Sequence, residues 1–118
     1  MPETVVVNRE LGIIEIHSVG DISEADLNQS IARVKSAFVD EAIKRVLVDT
    51  RLETSMPDFL AIFKFAKTFP SSVKFAIWIA EHQNTIAEVK FVQLVASNRG
   101  AQIELFIEKD AALKWLEA

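Results

Sequence analysis

VLVDTRLETSMPDFLAIFKFAKTF, residues 46–69, is the stretch of this sequence that decides the fold. Its apolar start, Val46–Val48, predicts a strand buried on both faces of a sheet. A helix rich in phenylalanine fills the second half of the stretch. The two are joined by a polar loop that carries Asp49, Arg51, Glu53 and Ser55. Such a unit presents its loop at the carboxyl end of a parallel strand, where open α/β sheets place their binding sites.

Strand and helix patterns alternate along the rest of the chain. The sequence predicts further strands at Thr4–Val7, Ile13–Ile16, Val73–Ala80 and Gln102–Ile107. Helices are predicted from Ser23, over 56–69, from Thr85 to Asn98 and over Asp110–Glu117. A short loop with Gly12 joins the first two strands as an antiparallel hairpin, and the later alternation requires a parallel sheet. We therefore expect one α/β domain over residues 1–118: a mixed five-stranded sheet with one antiparallel edge strand, about four helices, and Val73–Ala80 innermost.

Three helix starts carry capping signals. A hydroxyl residue followed three positions later by an acidic one occurs at Ser23–Asp26 and at Thr85–Glu88, and both predict capping boxes. Ser55 is the predicted N-cap of the second helix, and Pro70 is predicted to end that helix.

Composition excludes several classes of function. The net charge of −4 argues against a nucleic-acid-binding surface, which needs a basic stripe. Because the chain has no cysteine, it has no disulfide, thiolate nucleophile or cysteine metal site. Neither a leader peptide nor an apolar run long enough for a membrane span occurs in the sequence. The sequence therefore predicts a cytoplasmic protein.

Little in the sequence indicates catalysis. His17 and His82 follow two predicted strands, and neither belongs to a metal-binding spacing. We expect Asp49, Arg51, Glu81 and His82 to lie together at the carboxyl edge of the sheet. No glycine lies between Gly20 and Gly100, which excludes glycine-dependent nucleotide loops. The sequence therefore predicts a non-enzymatic protein without catalytic residues, metal ligands or a cofactor.

The phenylalanine-rich helix has more apolar surface than one sheet face covers. On a helical wheel its apolar residues spread over roughly 220°, whereas about 100° or somewhat more is enough for one sheet face. Three interpretations stay open: packing between neighbouring helices, a homodimer interface, or a pocket for an apolar ligand. The residues concerned are Phe59, Leu60, Ile62, Phe63 and Phe65 in this helix and Val89 and Val92 in the third. The degree to which Leu60 and Phe65 are buried distinguishes these three interpretations.

Thr54 and Ser55 form a candidate phosphorylation site just before the second helix. A phosphate there would meet the positive end of the helix. Plain capping by Ser55 explains the same residues.

The chain resembles the SpoIIAA-like family of small bacterial proteins, which share the STAS fold and are related in fold to CRAL-TRIO lipid-binding domains. The resemblance rests on VLVDTRLE, on SMPDF and on the ending IELFIEKDAALKWLEA. It implies helices gathered on one side of the sheet, often a dimer, and a regulatory or interaction role. Anti-sigma-factor antagonists of this kind carry a phosphorylatable serine at the start of the second helix, and Ser55 with Thr54 occupies that region here. We expect a homodimeric interaction module; the alternatives are a carrier of a lipid-like molecule and, third, a phosphorylation-switched antagonist.

Overall fold

The chain forms a single sheet covered by helices. The computed structural model describes residues 3–69 and 72–118, without the side chain of Phe59. Its elements are β1 (Glu3–Asn8), β2 (Ile13–Asp21), α1 (Glu24–Glu41), β3 (Arg45–Ser55), α2 (Phe59–Ala66), β4 (Lys74–Trp78), α3 (Ile86–Asn98), β5 (Gln102–Phe106) and α4 (Lys109–Glu117). The strands follow the order β1-β2-β3-β4-β5. Only the β1–β2 pair is antiparallel among these described strands, which confirms the predicted mixed five-stranded α/β domain. The middle strand is β3, however, and not the predicted β4.

The two faces of the sheet are covered unequally. Because side chains alternate along a strand, neighbouring residues serve opposite layers. Ile14 and Val46 belong to the large core with α1, α2 and α3, while Ile13 and Leu47 pack with α4 in a smaller one. The implied gathering of all helices on one side is therefore wrong for α4. Because α4 is short, part of the sheet face on which it packs stays open.

β3 is much longer than the predicted Val46–Val48 strand. It continues through Asp49 to Ser55, paired along β2, so the predicted polar loop is strand. Polar composition suggested a loop, yet β2 supplies the backbone partners that a strand needs. The pairing shifts register near His17 and again near Gly20. Such bulges change the direction in which later side chains point.

The N-cap residues of three helices agree only in part with the predicted ones. Ser23 and Asp26 form the predicted capping box of α1. The α2 helix begins after Asp58, whose carboxylate accepts the Ala61 amide at 2.9 Å, so the prediction of Ser55 as N-cap is wrong. Thr85 stands at the N-cap of α3 but makes no capping hydrogen bond, because its hydroxyl is engaged elsewhere. Pro70, the predicted end of the second helix, lies outside the described residues, and α2 ends at Ala66.

Candidate functional site

A charged network crosses the open face of the sheet. Arg51 donates two hydrogen bonds of 3.0 Å to the two carboxylate oxygens of Asp49. Its guanidinium lies 3.3 Å from the ring centre of Trp78, a stacked cation–π contact. His17 contacts Glu15 at 3.1 Å and lies 3.8 Å from Asp49. Partial burial acts to raise the pKa of Asp49, but the hydrogen bonds and charge of Arg51 outweigh it and hold that pKa below its usual value.

This network differs from the predicted cluster at the carboxyl edge. Asp49 and Arg51 lie within β3, whereas Glu81 and His82 lie in an exposed turn after β4. Among the described residues, the ion-pair partners of Asp49 are Arg51 and His17, and neither Glu81 nor His82 joins them. Asp49 and Arg51 are therefore strand residues rather than loop residues, and the partners of Asp49 come from its own strand and from β2. The grouping of all four residues at the carboxyl edge stays a prediction.

Thr54 and Ser55 share one acceptor at the end of β3. Both side chains are exposed, and their hydroxyls donate to the same oxygen of Asp21, at 2.6 and 2.8 Å. These two hydrogen bonds hold the pKa of Asp21 below its usual value. Since Asp58 caps α2, Ser55 has no capping role, and both hydroxyls are accessible.

The α2 helix divides its apolar residues between the core and the solvent. Phe65 is only 9% exposed, and its ring packs edge-on against Phe69 with centroids 5.0 Å apart. Phe65 is therefore covered within its own chain, and among the three interpretations left open for it this burial favours packing inside the chain over a homodimer interface. Ile62 is fully buried, whereas Leu60 is 65% and Phe63 39% exposed. The side chain of Phe59, also named for this surface, lies outside the described part of the structure.

A cavity lies between the sheet and the three helices α1, α2 and α3. Its free volume is about 60 Å³, counted as the space that the centre of a water molecule can occupy. Apolar side chains form most of its wall, including Phe65, Val89 and Val92. Polar groups reach it from β1, β3 and α1: Glu3, Thr50, Glu53 and Ser30. The predicted pocket residues Val89 and Val92 are therefore placed at a cavity, whereas Ile62, Leu60 and Phe63 are not part of its wall.

Two buried glutamates give this cavity its chemistry. Glu3 and Glu53 are each only 6% exposed. Glu3 accepts hydrogen bonds from the hydroxyl of Ser18 and, at 2.6 Å, from that of Ser30. Glu53 accepts one from Thr85 at 3.0 Å. These carboxyls are served by neutral hydroxyl groups, which is unusual for buried acids, because a buried charge is normally paired.

Burial dominates the electrostatics of both acids. Burial raises the pKa of Glu53 to about 7. The hydrogen bond from Thr85 acts to lower this pKa, and the negative charge of Glu3 acts to raise it further. Burial also raises the pKa of Glu3, although the hydrogen bonds from Ser18 and Ser30 act to lower it. Glu53 therefore gains and loses a proton near neutral pH. Raised carboxyl pKa values in a cavity mark candidate functional sites.

Neither glutamate of this pair is among the residues that the sequence predicts to form a ligand pocket. Glu3 and Glu53 lie fifty residues apart in the chain; Glu3 is followed by the exposed Thr4, and Glu53 lies between exposed residues. Thr50 and Glu53 both line the cavity although three positions separate them, because the register shift between them turns β3. No local pattern marks either glutamate as buried, because the burial of both depends on pairing between distant strands.

Metal-binding clusters and membrane-spanning helices are both absent from the described part of the chain. No group of three or more His, Asp or Glu side chains there is placed to hold a metal ion. The helices of residues 3–69 and 72–118 include none that is both long and apolar enough to cross a membrane.

Comparison with known proteins identifies the fold. No family model matches the sequence, and no curated protein matches it. An uncharacterised protein of the DUF3478 family with a SpoIIAA-like fold, from Shewanella loihica PV-4, aligns over 97% of this chain and 91% of its own, with a TM-score of 0.65 and 15% identity. An anti-sigma factor antagonist from Mycobacterium paratuberculosis aligns over 98% and 95%, with a TM-score of 0.59 and 12% identity. These likenesses cover nearly the whole chain and confirm the resemblance stated from the sequence: this chain has the SpoIIAA-like fold.

Proposed function

We propose that the chain, over residues 1–118, is a non-enzymatic interaction module that acts as a homodimer in the cytoplasm. The observation that carries the proposal is the exposure of Leu60 and Phe63 on α2, whose opposite side is packed into the core. Exposed apolar side chains side by side on one helix are typical of a protein interface. A second copy of the chain is the proposed occupant, since closed two-fold dimers are the commonest soluble oligomers. The fold shared with an anti-sigma factor antagonist supports a regulatory role through protein contacts.

Leu60→Asp and Phe63→Asp are expected to convert the dimer to a monomer while the chain stays folded, because each places a charge in the apolar contact. Native mass spectrometry and sedimentation velocity measure the subunit count. Ile107→Asp is the matched control, since Ile107 is also exposed but lies between β5 and α4. A wild-type chain that is monomeric at micromolar concentration would rule out the homodimer, as would dimers that survive both α2 variants.

The second candidate function is a carrier of a small apolar molecule. The observation that favours it is the cavity between the sheet and α1, α2 and α3, whose wall is mostly apolar. The same native mass spectrum tests it, because a carried molecule appears as added mass on the intact chain. A spectrum with bare chains only, after gentle purification, argues against the carrier.

The third candidate function is a phosphorylation switch at Thr54 and Ser55. Its support is the exposure of both hydroxyls and their shared bond to Asp21. A phosphate on Ser55 would replace a donor by a group of charge about −2 beside the Asp21 carboxylate, and the resulting repulsion would disturb the approach to α2.

We expect Ser55→Glu to weaken self-association at least about tenfold, because the added charge would repel Asp21 and displace the segment that leads into α2, the helix that carries Leu60 and Phe63. Asp21→Asn should restore it by removing the repelling carboxylate. Ser36→Glu, at an exposed position of α1, is the control for added charge alone. Unchanged dimerisation in Ser55→Glu would contradict a switch that acts through the dimer.

A further inference from the structure

The polar end of the cavity is rich in hydrogen-bond acceptors. The hydroxyls of Ser30 and Ser18 donate to Glu3, and that of Thr85 donates to Glu53. Thr50 donates its own proton to the carbonyl oxygen of Trp78 at 3.0 Å. Each ionised carboxylate offers about four lone-pair sites, more than these hydroxyls fill. A ligand that enters this end is therefore best recognised if it brings donors.

Positively charged side chains are absent from the described residues that line the cavity. This lining includes Glu3 and Glu53 but no lysine, arginine or histidine. Within residues 3–69 and 72–118, neither glutamate takes part in an ion pair. Asp26 on α1 acts on Glu3 and Glu88 on α3 acts on Glu53, and both of these charges are negative. The site therefore repels anions such as fatty acids and favours a cation.

We propose that this cavity binds a small primary amine, whose ammonium group pairs with Glu3 and Glu53 and whose short alkyl chain lies against the apolar wall. The ammonium brings three donors and one positive charge, which complement the acceptors and the charge of the two acids. Phe65, Val89 and Val92 provide the apolar contact. This inference does not depend on the homodimer; it rests on the ligand-carrier candidate and names the chemical class of its ligand.

The size of the cavity limits the length of the amine. One water molecule needs about 10–15 Å³ in this measure, so the free volume of about 60 Å³ holds about four to six non-hydrogen atoms. An amine with a chain of about four carbons matches that volume. Met56 and Phe69, which precede and follow α2, also line the cavity and are only half-buried, so it lies close to the surface there.

Isothermal titration calorimetry of the full chain at pH 8 tests the proposal with three probes of similar size: n-butylamine, n-butanol and butyrate. We expect n-butylamine to bind at least about tenfold more tightly than n-butanol, and butyrate to bind least. Amine binding should weaken about tenfold from pH 8 to pH 6, because Glu53, whose pKa is about 7, must be ionised to pair with the ammonium. Butylamine stays protonated over this range, as a lysine side chain does.

Glu53→Gln is the decisive variant, because the amide still accepts the hydroxyl of Thr85 but carries no charge. We expect it to weaken n-butylamine at least about tenfold and to leave n-butanol unchanged. Glu104→Gln, on the exposed side of β5, removes one charge far from the cavity and should change neither. Equal binding of butylamine and butanol would overturn the amine proposal and leave the apolar carrier standing. Binding of none of the three probes would contradict both. If Glu53→Gln does not fold, the ranking of the probes on the wild-type chain still decides.

Discussion

Phe65→Asp is expected to unfold the chain rather than to separate two subunits. The ring of Phe65 belongs to the main core, contacts Phe69 edge-on and forms part of the cavity wall. Removing a buried phenylalanine side chain costs about 3–5 kcal/mol, and an unpaired carboxylate in an apolar wall adds to that cost. The sum reaches the whole stability of a typical small domain, about 5–15 kcal/mol.

Urea denaturation followed by circular dichroism measures this effect. Phe65→Ala, without the added charge, should lose about 3–5 kcal/mol and remain measurable if Phe65→Asp does not fold. Leu60→Asp is the control on the same helix and should change the free energy of unfolding by about 0.5 kcal/mol or less. Two protein concentrations separate any contribution of self-association. A folded Phe65→Asp chain with altered subunit count would show that Phe65 faces a partner after all.

The contrast between Phe65 and Leu60 shows where the sequence stops being informative. A helical wheel places both at the edges of one broad apolar arc, and it cannot state how far neighbouring helices reach around α2. In the structure, Phe65 is buried in the core, whereas Leu60 is exposed to solvent. Element type and order were predictable because periodicity depends on nearby residues. The flank that a neighbour covers depends on the packing angles of α1 and α3, which no local pattern encodes.

Cap residues follow the same distinction. Ser23 and Asp26 pair with each other within one turn, so the sequence predicts their capping box correctly. Thr85 has an acidic residue at the same spacing, yet its hydroxyl donates to Glu53, thirty-two residues earlier in the chain. The same hydroxyl accepts a hydrogen bond from the side-chain amide of Gln83 at 2.9 Å, so its donor and acceptor partners are both side chains, and it makes no bond to an amide of the helix start.

The glutamate pair could not be predicted for a related reason. In the sequence, Glu53 lies in a mostly polar segment after the apolar run of β3, and such a segment is typical of a loop. Its burial follows from the register shifts between β2 and β3 and from the arrival of β1 with Glu3. Both depend on pairing between distant strands. The site that carries the most distinctive chemistry is therefore the one that the sequence conceals.

Wild-type stability is expected to fall by about 3 kcal/mol between pH 4.5 and pH 7 because of Glu53. The pKa of this carboxyl is about 7 in the folded chain and 4.5 as the ordinary value, so between these pH values the folded state holds more protons than the unfolded state. Stability then decreases as the pH rises, by about 1.4 kcal/mol for each unit of difference in pKa. Glu3, whose pKa burial also raises, changes stability in the same direction.

Glu53→Gln should remove most of this dependence and make the chain more stable than wild type at pH 8, since the amide buries no charge at any pH. Urea denaturation at pH 5, 6, 7 and 8 measures the slope, with Glu104→Gln as the variant of equal charge change. Asp21 and Asp49, whose pKa values are lowered, lose their contribution only in acid, below this window. A steep slope that persists in Glu53→Gln would assign the proton to Glu3, and a flat wild-type curve would mean that water reaches both carboxyls. If the wild-type curve is flat, water therefore surrounds both carboxyls, and the cavity would not distinguish an ammonium group from a hydroxyl group.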